Sequence, residues 1–222
     1  MTSLSCASVS FSYQKGEQVL HDCTVSFESG IPNYVVGPSG CGKTTLALIL
    51  AGVLTPQSGN VTAMRQQSVA YVLQFPERMF LAHTVEAELG TLPNATSTDR
   101  ARGALATLGI NLGEILHTSP LSLSFGQRRL LAIALQASLG TCALLLDEPT
   151  LGLDEQYLER LIRWVAERTK SGQLIILITH DYDLIRAMPG RIAILDRGAV
   201  AWQGDSDVFL KSDELMRTAS AI

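Results

Sequence analysis

The segment GPSGCGKT at residues 37–44 narrows what this chain can fold into more than any other feature. It satisfies the pattern G-x-x-x-x-G-K-[S/T], follows the apolar run YVV (34–36) and precedes a helical stretch at 44–51. A strand, a glycine-rich loop and a helix in that order form a cradle for phosphate groups. Gly37, Gly40 and Gly42 let the backbone of a loop that also holds Pro38, Ser39 and Cys41 turn tightly. Its N–H groups then converge on a β-phosphate at the positive end of the helix dipole. Lys43 adds a point charge for the β- and γ-phosphates, the Thr44 hydroxyl is placed to ligate Mg²⁺, and Thr45 reaches the α-phosphate region. The alternative is an ordinary glycine-rich turn that happens to contain Lys-Thr, and the strand and helix context argues against it. Nucleotide binding is the expectation.

The rest of the chain is patterned to suit such a loop. Residues 4–13 and 23–27 alternate apolar and polar, as in half-buried antiparallel strands. The later runs VAYVL (69–73), ALLLD (143–147), LIILIT (174–179) and RIAILD (191–196) are continuously apolar, as in parallel strands covered on both faces. Helical stretches at 44–51, 100–108, 127–139 and 155–169 alternate with them, which predicts an α/β fold with a parallel core sheet and an N-terminal antiparallel layer. Residues 76–139 hold no convincing strand. They read as a helical lobe inserted between two parts of one nucleotide-binding core, 1–75 and 140–222, so that 222 residues make one domain.

Composition excludes other classes. A formal net charge of −4 with no basic run argues against a nucleic-acid partner. Apolar runs far shorter than the roughly 20 residues of a membrane span, and a start without a secretory pattern, predict a chain that stays in the cytosol. Cys6, Cys23, Cys41 and Cys142 lack CxxC spacing and read as reduced thiols. Cys41, inside the loop, is expected to make the site sensitive to thiol reagents.

A phosphate loop also needs an acidic residue at the end of a neighbouring strand. ALLLDE supplies Asp147 for the Mg²⁺ hydration shell and Glu148 to orient or deprotonate a water. Taken alone, an apolar run ending in Asp-Glu is equally the end of a buried strand. The string LSFGQRRLLAIALQASLGTCALLLDEPTLGLD (123–154), however, resembles the signature, Walker B and D-loop block of ABC ATPases in content, order and spacing. The resemblance extends over essentially the whole chain. It implies that Tyr13 stacks on adenine, although Tyr13 also simply continues an alternating strand. It further implies that Gln74 contacts Mg²⁺ and the attacking water, and that His180 in LITHD contacts the γ-phosphate. Ser124, Gly126 and Gln127 would then bind the γ-phosphate held by a second chain, with Leu153 and Asp154 along the dimer interface. The resemblance also implies ATP and Mg²⁺ as ligands, in a homodimer or a heterodimer with a sister ATPase. Phe125 departs from the usual LSGGQ; if that position needs a positive φ, Phe is strained there.

The stretch QFPERMFLAHTVEAEL (74–89) resembles more narrowly the ATPases of energy-coupling-factor and related cobalt, nickel or biotin importers. Its matching residues are Gln74, Pro76, Glu77, Phe80, Thr84 and Val85. In those importers the region forms a groove for coupling helices of a membrane protein. Here Phe75, Pro76, Met79, Phe80 and Leu81 would supply apolar contact, and Glu77 an ion pair. The same residues also read as the core of the helical lobe. The resemblance implies a peripheral subunit at the cytoplasmic face of the cell membrane. Its partners would be a transmembrane coupling subunit and a membrane substrate-binding subunit, and the cargo a vitamin or transition-metal ion. The rival readings are a conventional ABC transporter ATPase and a soluble ABC ATPase of the iron-sulfur assembly type. The short stretch at 60–74 and the end of the chain at Ile222 suggest a compact member.

Overall fold

The computed structural model describes residues 3–14, 16–63 and 68–220; part of the short 60–74 stretch, residues 64–67, lies outside them. The strands are β1 (Ser3–Gln14), β2 (Glu17–Glu28), β3 (Asn33–Val36), β4 (Ser58–Ala63), β5 (Val69–Val72), β6 (Ala143–Asp147), β7 (Leu174–Ile178), β8 (Arg191–Asp196) and β9 (Ala199–Asp205). The helices are α1 (Lys43–Leu50), α2 (Val85–Gly90), α3 (Ala95–Thr107), α4 (Leu112–Ile115), α5 (Phe125–Ser138), α6 (Glu155–Lys170), α7 (Tyr182–Ala187), α8 (Ser206–Leu210) and α9 (Asp213–Ser220). They build two sheets. One is antiparallel, in the order β2-β1-β4; the other has the order β5-β6-β7-β3-β8-β9. Within the second, β5, β6, β7, β3 and β8 run parallel and β9 is an antiparallel edge.

The continuously apolar runs do what a strand buried on both faces must do, which is to divide their side chains between two cores. Tyr34, Val36, Leu144, Leu146, Ile175, Leu177, Ile192 and Ile194 join the core shared with α3, α5 and α6. Their neighbours Val35, Leu145, Ile176 and Leu195 join the core formed with α1 and the antiparallel sheet. Register completes the frame: Val35 and Asp147 both pair with Ile178, so the carboxyl ends of β3, β6 and β7 finish side by side. Ligands of such sheets sit beyond those ends.

Several elements differ from the sequence-based expectation. Each of the first two strands runs for 12 residues, and β1 changes register beyond Cys6, where Ser8 takes φ 51° and breaks the alternation. The strand β4, the antiparallel edge β9 and the helices α2, α4, α7, α8 and α9 were not expected; most are too short to carry a full hydrophobic period. Between β5 and β6 the described chain holds only helices and two 3₁₀ turns, Pro76–Arg78 and Pro120–Ser122.

Candidate functional site

The loop between β3 and α1 is shaped by sterics. At Gly37 a Cβ would lie 2.0 Å from the Leu195 carbonyl oxygen, so no larger residue fits. Gly42 caps α1 with φ 107°, in the region that glycine alone enters without strain. Lys43 holds the loop in place by donating from Nζ to the carbonyls of Gly37 (2.7 Å) and Pro38 (2.8 Å). The ammonium is thus already aimed at the loop's centre. Cys41 is buried, and burial pushes its thiol up against the opposing pull of Lys43. A protonated, buried thiol is a poor nucleophile, so its burial opposes the expected sensitivity to thiol reagents.

Opposite the loop, at the end of β6, Asp147 and Glu148 stand in different environments. Asp147 Oδ2 accepts from the Tyr71 hydroxyl at 2.8 Å and from Thr44 Oγ1 at 3.4 Å. Burial holds its carboxyl above the ordinary range, while Tyr71, Thr44, Lys43 and Arg129 oppose the rise. Glu148 has φ 47°, an uncommon left-handed backbone for a side chain of this size. Its Oε2 lies 3.4 Å from Thr179 Oγ1 and its Oε1 lies 3.4 Å from Nε2 of His180. Burial, followed by the charge of Asp147, pushes its carboxyl up. Burial and Lys43 push His180 below its ordinary value, so at neutral pH the imidazole is neutral and meets Glu148 as a polar neighbour, not as an ion-pair cation. Phosphate-loop lysine, paired hydroxyl and carboxylate, a raised glutamate and an imidazole therefore meet at the ends of three adjacent strands.

Comparison with known proteins gives the family. The sequence profile described as ABC transporter matches residues 20–151, more than half of the chain. This chain belongs to that family. A putative ABC transporter ATP-binding protein of Pyrococcus furiosus is 34% identical over 220 residues, which cover 91% of this chain and 84% of that one. An energy-coupling factor transporter ATP-binding protein, EcfA2 of Staphylococcus aureus, is 29% identical over 231 residues, covering 93% and 81%. Among solved structures, cbiO1 of Clostridium perfringens, part of the ABC transporter complex cbiONQ, superposes with a TM-score of 0.78 at 25% identity, covering 94% of this chain and 90% of that one. The chain is an ATP-hydrolysing ABC cassette.

The remaining motif residues of this ABC ATPase fall into three groups. Tyr13 is exposed, packs edge-on against Phe11 and hydrogen-bonds Thr45 through its hydroxyl at 3.2 Å, which sets an aromatic beside the phosphate loop. The signature segment is elsewhere. Ser124 and Gln127 close a capping box at the start of α5, each bonding the other's backbone N–H, and Gly126 is buried against Gly152 and Leu153. Among the described residues no hydrogen bond or ion pair joins them to the phosphate loop. Phe125 begins α5 with ordinary helical backbone, since positive φ outside glycine is confined to Ser8, Asp22, Glu148 and Arg197 among the described residues. The strain expected of Phe125 is absent. In the D-loop, Asp154 caps α6 by accepting from the Tyr157 N–H at 2.9 Å, and Leu153 is partly buried.

The third group follows Gln74, which is half-buried and whose carbonyl accepts from Arg129 at 2.9 Å. Pro76 is buried, Met79 and Phe80 pack partly against the core, and Phe75 and Leu81 remain 43% and 84% exposed. Glu77 turns Oε2 inward, where it has no hydrogen-bond partner among the described residues. Met79, Phe80 and Leu81 form one wall of a groove completed by Leu92, Leu135 and Leu139. Core and surface readings of this segment each hold for part of it. Sequence reasoning did not single out Tyr71, Thr179 or Arg129, which support Asp147 and Glu148; none belongs to a contiguous motif.

Proposed function

We propose that the chain is the ATP-hydrolysing subunit of an importer of the energy-coupling-factor type, carrying a vitamin or a transition-metal ion. Two cassettes would close head to tail around two ATP molecules, each phosphate loop facing the partner's signature segment. The pairing of Thr44 Oγ1 with Asp147 Oδ2 at 3.4 Å provides hard oxygen donors that suit Mg²⁺. Together with Gln74 they would hold that ion, which supplies charge neutralisation between the β- and γ-phosphates.

Glu148 acts as the base that orients or deprotonates the attacking water; a carboxyl raised by burial is better matched to that task than a free one. His180, within 3.4 Å of Glu148, lies on the γ-phosphate side, and Lys43 with Ser124 of the partner subunit stabilises the transferring phosphoryl group. Tyr13 stacks on the adenine, and residues 37–45 cradle the phosphates. Leu153 and Asp154 line the dimer interface.

The cargo never touches this chain. Residues 76–139 act as a lobe that moves on closure, and Phe75, Leu81 and the groove behind them receive the coupling helices of a transmembrane subunit, with Phe80 and Met79 as the floor. The observation that carries the transport reading is this half-exposed apolar segment after Gln74, in a chain similar to EcfA2 and cbiO1. No described helix is long and apolar enough to cross a membrane, so attachment at the cytoplasmic face would come through partners.

Affinity purification of tagged chain from detergent-solubilised native membranes, with mass spectrometry and an ATPase assay on the same sample, tests the reading. The expected result is a small transmembrane coupling protein and a membrane substrate-binding subunit in the active fraction. Recovery of soluble partners alone would end the transport reading and leave the ABC ATPase.

A further inference from the structure

Arg129 is the largest fully enclosed side chain among the described residues. Burying a guanidinium is costly unless its donors are satisfied, and a buried cation is ordinarily paired with a carboxylate. Arg129 does something else. Nη1 donates to the carbonyl oxygens of Asp147 (3.3 Å) and Glu148 (2.5 Å), and Nη2 to that of Gln74 (2.9 Å). Its charge is supported at a distance by Glu148, Asp147 and Glu77. The guanidinium thus holds the backbone that carries the two acidic residues and leaves their carboxylates to other partners.

The lid over this cation is Phe125. Its ring centroid lies 4.9 Å from the guanidinium carbon, within the range of a cation–π contact. The same ring rests on Gly152, where a Cβ would come within 2.3 Å of Cδ1 and where φ is 76°. The start of α5, the D-loop, the end of β6 and the chain after β5 thus converge on one planar group. Glu148 needs such support most, because its left-handed backbone persists only where its surroundings enforce it.

We infer that Arg129 is a positioning residue of the hydrolytic site and Phe125 its lid: the guanidinium fixes the carbonyls of Gln74 and Glu148 together, so that these two side chains are aimed at the same water. The inference rests on the catalytic reading of Glu148 proposed above. Arginine is required for its shape, since a planar fork reaches acceptors on separate elements whereas an ammonium reaches one or two near a point. Phe125 in place of glycine keeps water from competing for those donors.

The test uses the full chain with Arg129→Lys, Arg129→Met and Phe125→Gly. Arg129→Lys should lower kcat by about tenfold or more while KM for ATP and the affinity for a fluorescent ATP analogue change by less than about threefold. Phe125→Gly should lower kcat by a smaller factor in the same pattern. In the nucleotide-free Arg129→Lys chain, hydrogen exchange of the segment 147–152 should rise by about tenfold. Added to Glu148→Gln, Arg129→Lys should cost less single-turnover rate than it does alone, since its action through Glu148 is already lost and only that through Gln74 remains. Full kcat in Arg129→Lys, an additive loss in the double variant, or unchanged exchange at 147–152 would each overturn the inference. If Arg129→Met does not fold, the lysine and Phe125 variants carry the test. Normal turnover in Glu148→Gln alone would remove the catalytic reading, and the exchange measurement would still report whether the clamp holds the backbone.

Discussion

The phosphate loop and the signature segment carry comparably strong motifs, yet the polar side chains around the first bond across the chain and those of the second bond locally. Lys43 bonds the carbonyls of its own loop, and Thr44 and Tyr71 converge on Asp147. Glu148 is bracketed by Thr179 and His180. By contrast, among the described residues the side chains of Ser124 and Gln127 bond only to each other's backbone. The first region spends its polar groups internally and arrives preorganised, which is where electrostatic catalysis gets most of its effect. The second offers the N-terminal end of a 14-residue helix, an anion-favouring edge, to whatever approaches it. On the proposed reading, one chain holds most of a hydrolytic site and offers its signature segment to the site of another copy.

The largest effect expected to sharpen this contrast is at Glu148. Glu148→Gln should cut steady-state turnover by at least about a hundredfold, the range of a general base, while a fluorescent ATP analogue still binds. Unimpaired turnover would break the assignment. Next comes Ser124→Arg, which should lower turnover by about tenfold or more yet leave the isolated chain's ATP affinity within about threefold; loss of affinity instead would place Ser124 in its own chain's site. A smaller, purely structural effect is expected at Gly152. Gly152→Ala should lose about 1–3 kcal/mol through its left-handed backbone and its clash with Phe125, read as a lower melting temperature, and Phe125→Gly should return only the part due to the clash.

The smallest effect concerns charge. The Glu148 carboxyl is held above its unfolded value, so the ionised group disfavours the nucleotide-free fold at neutral pH, and stability is regained as pH falls through the raised folded value. Glu148→Gln should accordingly melt about 1–2 °C higher than the parent at pH 7, and the gap should close on acidification.

How much of this was legible in the sequence depended on whether the cause was local. The phosphate loop was legible because its glycines answer contacts within one turn, and the parallel strands because burial on both faces forces continuous apolar runs. Edge elements were not: β9, with Gln203, Gly204 and Asp205, and the five-residue helix α8 give no full period. Phe125 drew attention for the wrong reason, since the position is a helix start and needs no positive φ. Arg129 was invisible because its partners are three backbone carbonyls from two distant places in the chain, and carbonyls leave no mark in a sequence. Beside Arg128 it reads as one more solvated charge.

The most direct test of the central claim, a hydrolytic site completed by a second chain, is a mixing experiment. Lys43→Ala, which removes the phosphate-loop charge, and Ser124→Arg are purified separately, then combined and assayed for ATPase activity. If each chain supplies its signature segment to the other, the mixed dimer holds one site with both defects and one with none. Each variant alone should then be nearly inactive, and the mixture should recover about a quarter of parental turnover, the share of intact sites after random pairing. Absence of any recovery, with dimers of both chains present by native mass spectrometry, would contradict the account.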